Sequence, residues 1–200
     1  MTWTGPVSAH GERLSFVNKP AWKPRRRELP HPKPDGLKVV EARHRDIAGI
    51  RTFILDAWMI AGPSAWGWTG ASEENVKALA SVGHLEALIT NPGVKIYLAR
   101  EDRKIVGFAV TRELDRDAVE LAGIIVDEYH TGKGVGTALA QRAIASAFEL
   151  RYMEIIVKTE AFNKRAIGFY ERNGFARDGA STEEVDGKKI ELVVLKRKLH

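Results

Sequence analysis

From Leu37 onward the apolar positions of this 200-residue chain follow two alternating periods. Residues 37–42 alternate and predict a first strand. Ile47, Ile50, Ile54 and Leu55 recur at helical spacing and predict a helix capped by Asp46 and running to about Ile60. Ser72, followed by Asn75 three residues on, opens a second helix through Ile89, which Asn91-Pro92-Gly93 stops. Residues 94–100 and 104–112, joined by Glu101-Asp102-Arg103, read as a hairpin. A strand over 118–126 runs into a glycine-rich stretch. The helix over 135–150 places Leu139, Ala143, Ala147 and Leu150 on one side. A strand over 153–159 and a short helix over 163–172 follow, the latter ended by Asn173-Gly174. Residues 175–177 and 188–196 are the last strands, linked by a polar loop with Asp186-Gly187. The order β-α-α-β-β-β-α-β-α-β-β describes a mixed α/β domain with one central sheet flanked by helices.

Residues 1–36 break this pattern. Pro20, Pro24, Pro30, Pro32 and Pro34 exclude a regular helix or a central strand and predict an extended N-terminal arm. The arm holds seven basic residues against three acidic ones, and so supplies four of the five net positive charges. The pI near 9.5 is therefore largely a property of the arm, not of the domain over 37–200. The arm reads either as a disordered, solvated tail or as a segment that packs on the domain or on a partner through Trp3, Phe16 and Trp22. With no cysteine, a disulfide framework, a thiolate zinc site and a cysteine nucleophile are all excluded. No apolar run reaches the roughly 18 residues of a membrane span. No secretory signal is read at the N-terminus, so a cytoplasmic location is the default expectation. No metal is expected.

The most specific stretch is Val126-Asp127-Glu128-Tyr129-His130-Thr131-Gly132-Lys133-Gly134-Val135-Gly136-Thr137, where a strand ends and a helix begins. Three glycines at alternate positions allow tight backbone and close approach of a ligand. Helix-start amides point outward with the positive end of the macrodipole, which suits phosphate or pyrophosphate. Lys133 adds a cation. The spacing fits neither G-x-x-x-x-G-K-[ST] nor G-x-G-x-x-G. A second stretch, Asn163 to Phe175, places Asn163 and Tyr170 seven residues apart, nearly in register after two helical turns. A phenol held there can protonate a thiolate leaving group.

Together the two stretches resemble the GNAT superfamily of acyl-CoA-dependent N-acetyltransferases. Val126-Asp127 and Gly134-Val135-Gly136 match the family's strand end and glycine loop. Asn163, Ala166, Phe169, Tyr170, Gly174 and Phe175 match its last helix. The resemblance covers about residues 37–198. Thr131 stands where the family has Arg or Gln, and Glu128 replaces a common proline. Lys158 occupies the position of the glutamate base that some ribosomal-protein acetyltransferases carry.

The resemblance implies a GNAT-like sheet and acetyl-CoA as co-substrate, lying where the strands over 118–126 and 153–159 splay. The pyrophosphate would sit on amides of Gly132, Lys133, Gly134, Val135, Gly136 and Thr137. The thioester and pantetheine would meet the backbone of Ile124, Ile125 and Val126, with Asn163 and Tyr170 alongside. Gly123 would mark a bulge. Tyr170 would act as general acid and Glu120 as first candidate base, with Glu160 and His130 behind it. Trp58, Trp66 and Trp68 would wall the acceptor site near the link between the first two helices. The expected partner is an amine: a peptide, lysine, polyamine or small metabolite. A homodimer is left open, and neither a membrane nor a nucleic acid is expected. Two alternatives stand beside this reading: a non-catalytic acyl-CoA sensor or interaction domain, and a nucleic-acid-associated protein using Arg25-Arg26-Arg27.

Overall fold

A computed structural model describes residues 36–61, 73–185 and 188–199. The expected arm, Trp66, Trp68, the Ser72 helix start and the Asp186-Gly187 link lie outside the described residues. The strands are β1 (Lys38–Glu41), β2 (Val94–Glu101), β3 (Lys104–Glu113), β4 (Ala118–Val126), β5 (Glu154–Glu160), β6 (Ala176–Val185) and β7 (Lys188–Lys198). The helices are α1 (Ile47–Ala61), α2 (Glu73–Leu79), α3 (Val82–Thr90), α4 (Val135–Glu149) and α5 (Lys164–Arg172). The strands form one sheet in the order β1-β2-β3-β4-β5-β7-β6. Only β4 and β5 pair in parallel among the described strands; the other pairs are antiparallel.

Two cores sit on opposite faces of the sheet. On one face α4 and α5 bury Leu139, Ala143, Ile167 and Tyr170 against Val119, Leu121, Ile155, Val157 and Leu195. On the other, α1–α3 bury Ile50, Ile54, Val76 and Leu85 against Ile96 and Leu98. Successive residues of a strand face opposite ways, so β4 sends Val119 and Leu121 to the α4 face and Glu120 to the other. Gly107 on β3 makes the α4 packing feasible. A Cβ there would meet the Ile125 carbonyl at 2.9 Å, Leu139 at 3.1 Å and Val135 at 3.2 Å.

Four expectations are corrected. The helix expected to run through Ile89 is two, because Ser81 interrupts it and its Oγ accepts from His84 N at 3.3 Å, capping α3. Asp46 does not cap α1 from in front. Its carboxylate accepts from Arg43 N at 2.8 Å and pairs with Arg100 at 2.8 Å, closing a 3-10 turn at His44–Asp46. The polar stretch after Arg177 is strand rather than loop, since β6 pairs with β7 as far as Val185↔Lys188. Leu150 does not join the buried side of α4; it sits at the helix end, 53% exposed.

Candidate active site

The crevice arises from strand register. β4 and β5 pair at three positions, Ala118↔Glu154, Val119↔Ile155 and Glu120↔Ile156. Beyond them β5 continues to Glu160 alongside β7, while β4 continues to Val126 alongside β3. The register of β3 with β4 skips Ala122, which lies between Leu121 and Gly123. This bulge, at the position that Gly123 predicts, increases the local twist and turns β4 away. Ile124, Ile125 and Val126 are only half-buried although their strand is central. Among the described residues their main-chain groups on the β5 side have no ladder partner. The crevice outside the carboxyl ends of parallel strands is where open α/β sheets bind ligands.

The start of α4 closes the top of this crevice. Gly134 is its N-cap, left-handed at φ 83°, and offers no side-chain cap. Gly132 is also left-handed at φ 81°, with open space where a side chain would stand. Among the described residues no hydrogen bond takes the amides of Gly132, Gly134, Val135, Gly136 or Thr137; the first intrahelical donor is Ala138 N to Gly134 O, 2.9 Å. The Lys133 amide differs from expectation. It donates to His130 O at 3.3 Å, which leaves only the exposed Lys133 side chain to face a ligand.

Tyr170 and Asn163 stand on and at the start of α5. The Tyr170 ring is buried between Phe169 and Phe175, edge-on to both at centroid distances of 5.1 and 5.7 Å. Burial pushes its phenol up to about 12, so the hydroxyl keeps its proton at neutral pH. No hydrogen bond among the described residues takes that hydroxyl. Asn163 is the N-cap of α5 and its Oδ1 accepts from Ala166 N at 3.0 Å, so only its Nδ2 is left for a ligand. Phe169 links the two helices: a Cβ on Gly136 would stand 3.4 Å from its ring.

Glu120 is buried on the face opposite α4, at the last paired position before the strands part. Its Oε2 lies 2.5 Å from Nη2 of Arg112, its direct cross-strand partner on β3. Tyr170 and Glu120 therefore belong to opposite faces of the sheet. Trp58 is half-buried against the core of α1–α3, on the Glu120 face. His130, a lesser candidate base, has both ring nitrogens in contact with carboxylates. Its Nδ1 is 2.9 Å from Asp127 Oδ2 and its Nε2 is 3.0 Å from Glu101 Oε2. Glu160 is buried at the end of β5. Lys158, at the position of the glutamate base, pairs with Glu183 at 3.4 Å. Arg112 and Glu101 escaped the sequence reading. Hairpin register would have found Arg112, since pairing residues 104–113 with 118–126 sets it opposite Glu120.

An uncapped helix start, an opened strand pair and a protonated phenol are thus the features that the structure sets in the glycine-loop and α5 stretches. The chain belongs to the acetyltransferase (GNAT) family, whose model matches residues 55–175. It is an acyl-CoA-dependent acetyltransferase, and the family uses acetyl-CoA. An uncharacterized N-acetyltransferase of Mycobacterium tuberculosis is 30% identical over 107 residues, 54% of this chain and 69% of that one. The fold matches a solved structure from Streptococcus mutans with a TM-score of 0.66 at 20% identity, covering 82% of this chain and 99% of that one. It also matches the PaiA N-acetyltransferase of Thermoplasma acidophilum in complex with coenzyme A, with a TM-score of 0.61 at 18% identity, covering 81% and 98%.

Proposed function

We propose that the chain moves an acetyl group from acetyl-CoA to a primary amine by direct attack in a ternary complex. The observation that carries this reading is the parting of β4 and β5 after Glu120, directly beneath the uncapped start of α4. The residues fit a pyrophosphate-bearing donor: the open amides of Gly132, Gly134, Val135, Gly136 and Thr137 supply hydrogen-bond donors, and Lys133 a cation. Acetyl-CoA supplies the thioester, and the chain's residues do the rest.

A main-chain donor among Ile124, Ile125 and Val126 holds the thioester oxygen and stabilises it as negative charge develops, worth about 3–4 kcal/mol if well aimed. Glu120, directly or through a water, takes the proton the amine nitrogen loses as its C–N bond forms. Tyr170 donates its proton to sulfur as the C–S bond breaks, giving an amide and the free thiol of coenzyme A. Solvent then carries the proton from Glu120 back to Tyr170. Trp58 borders the acceptor side, and Trp66 and Trp68 follow it closely in the sequence. The acceptor is a peptide, lysine, polyamine or small-metabolite amine.

A panel of such amines, assayed for free coenzyme A and for an amine heavier by one acetyl group, tests the proposal. Thiol release matched one to one by acetylated amine is the expected result. Coenzyme A binding with no turnover on any amine class would favour the non-catalytic sensor.

A further inference from the structure

Just ahead of the glycine loop, His130 stands between two carboxylates from separate parts of the fold. Asp127 belongs to its own turn, and Glu101 to the tip of the β2–β3 hairpin. The three side chains are mostly shielded, at 18% exposure for His130, 25% for Asp127 and 34% for Glu101. An ionised carboxylate only accepts, so both contacts are hydrogen bonds at once only when both ring nitrogens carry protons. A neutral imidazole has one N–H and must give up one carboxylate. The segment so held leads straight into the loop, since the His130 carbonyl accepts from Lys133 N and the Asp127 carbonyl accepts from Thr131 Oγ1.

We propose that His130 is a positioning residue for the acyl donor: as an imidazolium it straps the glycine loop to the β2–β3 hairpin and thereby sets the loop's affinity for the donor's phosphates. This rests on the pyrophosphate assignment above. Two effects act in the same direction when the proton leaves. One anchor of the loop is lost, and the three groups pass from one net negative charge to two beside an anion site. Donor affinity therefore falls as pH rises. The other charged groups nearby are Glu128 and Lys133 on the same segment, and Lys104, the cross-strand partner of Glu101. Arg51 and Asp56 lie on α1, which packs against the same turn. Among the described residues only Asp127 and Glu101 make a charged contact with the ring.

Calorimetry with coenzyme A on the full chain, between about pH 5.5 and about pH 9, compares wild type with His130→Ala and Glu101→Gln. Taking ratios at each pH cancels the titration of the ligand's own phosphate. Wild type should bind roughly tenfold tighter than His130→Ala at the acid end, with the advantage vanishing at the alkaline end. The glutamine amide can accept from an imidazolium or donate to a neutral ring. Glu101→Gln should therefore lose clearly less affinity than wild type as pH rises, because its anchor survives and only the charge change remains. A wild-type advantage that is constant with pH, or a Glu101→Gln profile that falls as wild type does, overturns the strap while leaving the donor site standing. Absence of coenzyme A binding in wild type would remove the pyrophosphate assignment, and the strap with it.

Discussion

The two helices that border the crevice begin in opposite ways. α5 satisfies its own start, with Asn163 Oδ1 accepting from Ala166 N. α4 begins at Gly134, which has no side chain to give, and leaves its first amides open. Relative to glycine, a capping Ser, Asp or Asn is worth only about a few tenths of a kcal/mol, and the left-handed backbone at Gly134 favours glycine in any case. In the proposed function the contrast divides the work: the open helix would take the anionic end of the donor, and the closed helix would carry Tyr170 to the sulfur. Changes at α4 should then show in binding, and changes at Tyr170 in turnover.

The largest effect should come from Tyr170→Phe, which keeps the ring between Phe169 and Phe175 and removes only the proton. We expect kcat to fall by about 10²–10⁴-fold with coenzyme A affinity nearly unchanged. Single-turnover transfer with saturating acetyl-CoA and an identified amine measures it, and a rate within about twofold of wild type would leave Tyr170 as packing alone. The same residue carries a stability signature. Between about pH 10 and pH 12 the unfolded chain has released its tyrosine protons while buried Tyr170 still holds its own. Rising pH therefore costs folded-state stability in that window, and Tyr170→Phe should remove part of the loss. Tyr152, also pushed up to about 12 chiefly by burial, accounts for another part.

Next in size is Gly134→Asp, the reverse experiment on α4. It forces a side chain onto a left-handed backbone and sets a carboxylate at the anion cradle. Coenzyme A affinity should drop by about a hundredfold, read by calorimetry on protein whose circular dichroism spectrum is native. Equal affinity in a folded variant would mean that the open amides of α4 are not where the donor sits. Glu120→Gln tests the opposite face of the crevice. Loss of the base should lower kcat/KM by about tenfold to a hundredfold. If Glu120 serves only to hold Arg112, then Glu120→Gln and Arg112→Ala will lower the melting temperature alike and spare the rate.

The backbone features of the proposed donor side were legible in the sequence and the side-chain pairings around Glu120 and His130 were not, for a physical reason. Anion binding by backbone amides demands glycines at fixed places between a strand and a helix, and such punctuation is readable without coordinates. Gly132, Gly134 and Gly136 stand where that reading put them, and so does the bulge beside Gly123. What escaped depends on which strands become neighbours. Arg112 meets Glu120, and Glu101 meets His130, only through strand register and a turn between distant segments. The polar run of β6 is strand because β7 supplies its partner, and local propensity gives no sign of that. The aromatic wall is legible only as composition, since Trp66 and Trp68 lie outside the described residues and Trp58 packs on the core.

The smallest effect sharpens the contrast between the two helix starts at α5 itself. Asn163 offers two functions in one side chain: Oδ1 caps the helix, and Nδ2 has no partner among the described residues. Asn163→Ala removes both, leaving the Ala166 amide unsatisfied, and should cost about 1 kcal/mol in chemical denaturation. Asn163→Asp keeps an acceptor at the positive end of the helix, so it should recover that stability. It cannot restore the lost N–H donor, and it brings a negative charge near the donor's path. If Asn163 touches acetyl-CoA through Nδ2, both variants should bind coenzyme A more weakly, by roughly threefold to tenfold. Stability and affinity would then separate in Asn163→Asp, one regained and the other not. Wild-type affinity in Asn163→Asp would reduce Asn163 to a cap and leave the donor held from the α4 side and by Tyr170 alone.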